Sequence, residues 1–311
     1  MVDPGLPPPE ADPDVFCCAL SRELEEPLLG TAVDNRVWFL LEYDRPWRAK
    51  ATEDNELPRE VQSWLDAQVA LTKGRLQFIK QERRETGQPL AFYVVQAGER
   101  QPRMFRFQLE AYADLLQVDV TRLLASDGEY KGLQQVEPLY LVCTNGRRDR
   151  CCALYGLEVY YRLRKIAADQ VWQTTHVGGH RFAANVLTFP DATYYGRMQT
   201  NDLESFYQAR ERGEMVLEHL RGRSCYREVA QAADYYLRRE TEQRALDAFH
   251  LVDLSSPQPE HFRASFELTG DDARYDVYLV QEVLDLALYG SCGEPRTKPT
   301  AIYRLKAIEE M

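Results

Sequence analysis

A chain of 311 residues, 44% apolar and 28% charged, has the profile of a globular protein of about two domains with a sizeable core. With 38 basic and 49 acidic residues its formal net charge is −11, which argues against general nucleic-acid binding and against an anionic membrane surface. No apolar run approaches the roughly 20 residues of a membrane helix, and the opening MVDPGLPPPEADPD lacks the basic region and apolar stretch of a secretory signal. Seven cysteines are odd in number and too sparse for a disulfide framework. The expected compartment is therefore the cytoplasm, where thiols stay reduced and serve as ligands or nucleophiles.

Residues 1–14 hold five prolines and four acids and are expected to form a disordered tail. Val37 to Tyr43 reads as a buried strand. Pro58 to Leu71 reads as a helix, with Val61, Trp64, Leu65, Val69 and Leu71 near the helical period and Pro58 at a favoured first-turn position. Leu76 to Ile79, Leu90 to Ala97 and Met104 to Leu109 read as strands, and Tyr112 through Leu124 as a helical piece broken near Asp119.

A second segment repeats this order. Leu139 to Cys143 is a strand, Cys151 to Ala168 a helix, and Val171 to Thr174 a strand. Ala184 to Phe189 and Thr193 to Met198 form a hairpin across Pro190-Asp191-Ala192, here an ordinary turn, and a polar helix runs from Asn201 to Arg212. This is the order of a thioredoxin-like layer, and meeting it twice predicts two related lobes. Beyond them, Cys225 to Leu246 reads as an amphipathic helix, and Phe262 to Leu268 with Tyr275 to Val280 as a hairpin around Gly270-Asp271-Asp272. The expected fold class is α/β: two thioredoxin-like lobes with mixed sheets flanked by helices (15–130 and 131–222), plus a C-terminal helix and hairpin extension (223–311).

The chemistry concentrates between Cys143 and His180. CTNGRRDRCC follows one predicted strand and HVGGH the next, and these 38 residues hold three of the seven cysteines and two of the five histidines. Strand ends are where α/β layers place their sites, and thiolates with imidazoles are the donor set of zinc, copper and iron–sulfur centres. A phosphatase-type Cys-x5-Arg loop is excluded, because that spacing from Cys143 lands on Asp149, whose carboxylate repels phosphate. His-x3-His matches zinc-finger spacing, but Cys143 and Cys152 stand nine residues apart. Gly178-Gly179 would also cost a finger helix roughly 2 kcal/mol relative to two alanines. Zinc in a loop-built site stays open. A [2Fe–2S] cluster needs four donors on loops that wrap a compact core, and glycines between two donors let backbone N–H groups approach it.

The strings CTNGRRDRCCALYG and HVGGHRFAANVLTFPDATYYGR resemble the signature of the sucrase/ferredoxin-like family, whose core is a thioredoxin-like ferredoxin domain. FCCALSRELEEPLLGTA and Ser291-Cys292-Gly293 are also similar to it, although Glu25 stands where the family pattern has Gly before Glu26. The resemblance implies a [2Fe–2S] cluster with Cys143 and Cys152 on one iron and His176 and His180 on the other, as in members of the HxGGH type. Cys152 is preferred to Cys151 because Cys-x8-Cys is the family spacing, which leaves Cys151 in the core or as a reserve thiol.

Two thiolates leave a core of about +2 near neutral, where four leave it near −2, so an electron is taken up more easily. The implied function is single-electron transfer at a Rieske-like potential, with proton coupling through the imidazoles. Eight Lys/Arg against four Asp/Glu between Cys143 and Arg197 make this stretch locally basic. Arg147, Arg148, Arg150, Arg181 and Arg197 read either as solvated or internally paired groups or as a docking patch for the partner, a redox protein or a small electron donor.

Cys17, Cys18, Cys225 and Cys292 read as small buried side chains, and His219, His250 and His261 carry no assigned role. The alternatives are a structural zinc protein of the same fold and, as the family name suggests, a sucrose or glycoside hydrolase needing paired carboxylates that no acid here marks out. Thiol–disulfide chemistry at Cys151-Cys152 ranks below zinc, since vicinal cysteines form strained disulfides poorly.

Overall fold

The computed structural model describes residues 16–82, 87–125, 128, 130–284, 288–292 and 299–311. The expected tail and Gly293 lie outside the described residues. The chain enters through a short helix that periodicity does not reveal, α1 (Cys17–Glu23). The first lobe follows as β1 (Val37–Glu42), α2 (Arg59–Thr72), β2 (Arg75–Lys80), β3 (Leu90–Gln96) and β4 (Arg103–Leu109). A 3-10 turn (Tyr112–Gln117) and α3 (Val120–Ala125) come next, divided around Asp119. The second lobe is β5 (Leu139–Cys143), α4 (Arg150–Ala167), β6 (Val171–Thr174), β7 (Val186–Phe189), β8 (Thr193–Tyr195) and α5 (Leu203–Glu211). The peptide before Pro190 is cis, in place of the ordinary turn expected there.

Among the described residues the lobes share one nine-stranded sheet, ordered β4-β3-β1-β2-β6-β5-β7-β8-β9, with β9 at Leu220–Arg223. Each lobe has the same internal plan: its first two strands pair in parallel and the next two add antiparallel. The lobes join where β2 and β6 run antiparallel, Ile79 opposite Thr174 and Lys80 opposite Gln173. Because this joint is antiparallel, the start of β2 runs beside the chain that leaves β6, so the first lobe reaches the second lobe's predicted site.

The central strands are buried on both faces, which is why they read as continuous apolar runs without alternation. On one face Trp38, Leu40, Tyr93, Leu141, Leu187 and Tyr194 form a core common to both lobes. On the other, α2 covers Phe39, Leu41 and Phe78 with Val61 and Leu65, while α4 covers Tyr140 and Val142 with Val159, Tyr160 and Leu163.

The extension departs from expectation in two ways. Its helix is α6 (Glu228–Thr241), shorter than the predicted span and followed by Glu242 at positive φ. The expected hairpin, β11 (His261–Leu268) and β12 (Arg274–Leu284), is flanked by β10 (Phe249–Gln258) and β13 (Thr300–Glu310) in a four-stranded antiparallel sheet. β10 was missed because its second half, DLSSPQ, carries polar residues and a proline at a sheet edge. α6 lays Val229, Ala233 and Leu237 on Phe266, Val277 and Leu279 of that sheet. Among the described residues no helix is long and apolar enough to cross a membrane.

Candidate metal centre

Parallel pairing sets Cys143 of β5 opposite Thr174 of β6, so the chain leaving β6 reaches His176 two residues later, beside Cys143. α4 then returns over the sheet. Asp149 is its N-cap, with Oδ1 accepting the Cys151 N–H at 2.8 Å. Cys151 and Cys152 therefore sit in the first helical turn, among its free N–H groups. The approach of α4 to β5 depends on Gly156, where an added Cβ would collide with the Cys143 carbonyl oxygen.

The donor atoms of Cys143, Cys152 and His176 lie within 4.8 Å of one another. The His180 ring stands 4.7 Å from the His176 ring, centroid to centroid, with its Nε2 3.8 Å from Asp149 Oδ2. Three of the four expected residues thus share one small sphere, and the fourth turns its ring toward Asp149. His180 is buried and His176 half-buried.

The His176–His180 loop is held from outside. Gly178 and Gly179 have φ of 97° and 67°, a region costly for side chains with a Cβ, and this turns the chain back so that the two imidazoles meet. Arg221 of β9 donates to the Gly178 carbonyl at 3.0 Å, and Asn185 Nδ2 to the Gly179 carbonyl at 2.9 Å. Tyr194 donates to the Val177 carbonyl at 3.2 Å. From the first lobe, Arg75 and Gln77 donate to the His176 carbonyl at 3.2 and 3.4 Å. With the backbone so occupied, Nδ1 of His176 and Nδ1 of His180 are buried without a hydrogen-bond partner among the described residues.

The electrostatics split the two thiols: the hydrogen bond to Cys143, together with burial, pushes Cys152 well above its ordinary value. Hydrogen bonding from Cys152 and from His176 holds the Cys143 thiol well below its ordinary value despite its burial. Burial pushes the His180 imidazole down, against the opposing pull of Asp149, which favours the neutral ring that ligates metals.

A second group of donors was not anticipated. Cys17, Cys151 and Cys292 gather with Asp149, all donor atoms within 4.8 Å. Cys17 and Cys292, read from sequence as isolated core-filling residues, thus converge on the residue next to Cys152. Sequence spacing gives no hint of a contact between positions 275 residues apart, and the available signals were the vicinal pair Cys151-Cys152 and the family-like strings that carry Cys17 and Cys292. Cys18 and Cys225 are buried as expected.

The basic residues divide. Arg181 pairs with the buried Glu26 at 2.7 Å, and Arg197 donates to the Ser21 hydroxyl and to the Ser21 and Glu26 carbonyls, so both tie α1 and its following segment to the His loop. Arg147, Arg148 and Arg150 are exposed. Arg148 lines a cleft of about 360 Å³ with Lys50, Arg75, Gln77, Asn145 and His176, so His176 is the expected donor that opens toward solvent.

The chain is 27% identical over 112 residues to altered inheritance of mitochondria protein 32 of Meyerozyma guilliermondii, an alignment covering 32% of this chain and 40% of that protein, so it spans less than half of the relative's length. Among solved structures it is similar to a cysteine-to-serine variant of the thioredoxin-like [2Fe–2S] ferredoxin from Aquifex aeolicus, at 20% identity, covering 27% of this chain and 97% of that chain, with a TM-score of 0.24. Residues 28–222, which take in both lobes and the whole Cys143–His180 region, match the family described as sucrase/ferredoxin-like, and the chain belongs to that family.

Proposed function

We propose that this protein is a one-electron carrier whose [2Fe–2S] group is held by Cys143, Cys152, His176 and His180. The observation that carries the reading is the pair of buried Nδ1 atoms on His176 and His180, unpartnered beside two buried thiols. A buried polar atom left unpaired costs about 1–3 kcal/mol, and a ligand bond removes that cost. Bound there, the group supplies reversible uptake of a single electron.

The residues set the conditions for that uptake. Two neutral imidazoles in place of two thiolates take two negative charges out of the donor set, which favours an added electron. The expected potential is therefore in the Rieske range, about −150 to +300 mV, instead of near −400 mV. His176 lines the cleft and holds or releases a proton at the ring nitrogen not used for ligation, while His180 stays enclosed beside Asp149. The cleft sets Lys50, Arg75 and Arg148 against Glu53 and Asp66, with Lys50 paired to Glu53 at 3.3 Å, and the small excess of positive charge suits an acidic redox partner or an anionic small electron donor.

The test is anaerobic purification of the full chain, with iron, acid-labile sulfide, EPR after dithionite and a redox titration near pH 7. The expected result is two iron and two sulfide per chain, lost in His176→Ala and in Cys152→Ala. A potential close to −400 mV would contradict the mixed donor set. A second reading rests on the close grouping of Cys143, Cys152 and His176, which suits one four-coordinate zinc with His180 as fourth donor. Colourless protein with zinc that follows His176 would select it.

A further inference from the structure

We propose that Cys17, Cys151, Cys292 and Asp149 form a second metal site, mononuclear and zinc-binding, against the wall of the first. The inference rests on the reading of the Cys143 group as a [2Fe–2S] site, and zinc bound at that group instead is told apart by its loss in His176→Ala. The three sulfurs make a nearly equilateral triangle: Cys17 to Cys151 is 3.5 Å, Cys151 to Cys292 is 3.4 Å and Cys292 to Cys17 is 3.6 Å. They come from the first turn of α1, the first turn of α4 and the segment between β12 and β13. Cys17 and Cys151 are fully enclosed and Cys292 is half-buried.

The size of the triangle fits a single zinc ion. Thiolates bound at about 2.3 Å around a tetrahedral zinc stand about 3.8 Å apart, within a few tenths of an ångström of what is observed. A metal at the centre of the triangle would have bonds of about 2.0 Å, too short for thiolate, so it must sit about 1 Å out of the plane and take a fourth donor. A cluster would divide its ligands between irons, whereas these three sulfurs are close enough to share one ion. Thiolates also exclude magnesium and calcium, which take oxygen donors.

Asp149 is placed to be the fourth donor. Both of its carboxylate oxygens lie 3.9 Å from Cys17 Sγ. Oδ1 accepts the Cys151 N–H and Oδ2 the Cys292 N–H, each at 2.8 Å, which orients the carboxylate and leaves each oxygen a second lone pair. Through adjacent Cys151 and Cys152, and through the Asp149–His180 approach, an ion here would fix the helix turn and the imidazole that border the first site. It would also tie α1 and the 288–292 segment to α4.

The experiment counts metals in the intact chain purified without added chelator, for wild type, His176→Ala and Cys292→Ser, and records zinc-edge X-ray absorption on the wild type. The expected result is one zinc that survives His176→Ala and is lost in Cys292→Ser, with a coordination shell of three sulfurs and one oxygen. Wild type without zinc, zinc that follows His176 in place of Cys292, an imidazole in the zinc shell, or a disulfide among Cys17, Cys151 and Cys292 would each overturn the proposal. The absorption spectrum needs no variant, so a misfolded Cys292→Ser does not decide the matter.

Discussion

Arg221 bridges Gly178 and Asn185 through a single nitrogen, Nη1, at 3.0 and 2.8 Å. Its guanidinium lies over the rings of Phe182 and Tyr194, 4.9 and 5.3 Å from their centroids. Burial pushes its pKa down to about 10, so it stays charged at neutral pH. An arginine spent on carbonyls and an amide in the interior has a positional task, and that task is the conformation of the His176–His180 loop. Arg221→Met keeps the side-chain length but leaves the Gly178 and Thr31 carbonyls unpaired. We expect a loss of about 2 kcal/mol in urea unfolding, from lost charged hydrogen bonds partly offset by relief of the buried charge. Metal release to a chelator should also be faster. Unchanged release kinetics would show that the loop holds its shape without Arg221.

Gly156 controls the distance between α4 and β5. Gly156→Ala must move the helix or the Cys143 carbonyl, since the new Cβ and that oxygen would occupy the same space. Overpacking of this kind costs about 1–3 kcal/mol or more. Because the displaced backbone carries Cys143 and Cys152, metal content should fall further than in a variant of equal stability loss placed in α2, such as Val61→Ala. Equal metal content in the two variants would refute this.

The lobes were legible because β5 is apolar throughout, β1 and β3 are apolar up to their last residues, Glu42 and Gln96, and α2 and α4 carry helical stripes, so type and order follow from local pattern. β9 was not legible: Leu220–Arg223 reads LRGR, and its two buried arginines give it the look of a surface loop. Their guanidiniums find carbonyl partners through tertiary contacts, Arg221 with Thr31 and Gly178 and Arg223 with Gly98, Glu99 and Leu246. The joint between β2 and β6 was hidden for a similar reason, because two residue pairs carry it and neither strand's pattern specifies a neighbour. The family resemblance implies Cys143, Cys152, His176 and His180 as one set, and the fold brings the donor atoms of the first three together. The Cys17–Cys151–Cys292 triangle joins segments that only the folded chain brings together.

His250 gives the fold a pH dependence away from the metal centre. Its Nε2 is 2.9 Å from the Thr269 hydroxyl, Glu99 lies 4.0 Å from Nδ1, and burial with help from Arg100 pushes the imidazole below its ordinary value against the pull of Glu99. The unfolded chain takes up a proton here as pH falls through about 6.5, while the native chain resists until a lower pH. Stability from this group is therefore present above about 6.5 and lost as pH falls through the folded value. The urea midpoint should drop between pH 7.5 and 5.5, and His250→Gln, which cannot titrate, should flatten part of the drop. Parallel curves for the two proteins would remove His250 from the account.

The hairpin of the second lobe is locked by a buried ion pair. Asp191 and Arg210 have side chains 7% and 4% exposed and meet at 2.7 Å. Asp191 Oδ2 also accepts the hydroxyls of Thr188 and Thr193, while Arg210 donates to the Tyr195 hydroxyl at 3.4 Å and the Glu214 carbonyl at 3.3 Å. Removing one member strands the other in a site that water does not reach. Arg210→Met should therefore cost about 3–5 kcal/mol. Asp191→Asn in that background removes the stranded charge and keeps a side-chain oxygen that accepts both threonine hydroxyls, so the double variant should be more stable than Arg210→Met alone. The comparison isolates the charge, because both variants lose the same arginine contacts. If adding Asp191→Asn destabilises Arg210→Met further, the carboxylate is held by its threonine bonds and the ion pair is incidental to the hairpin.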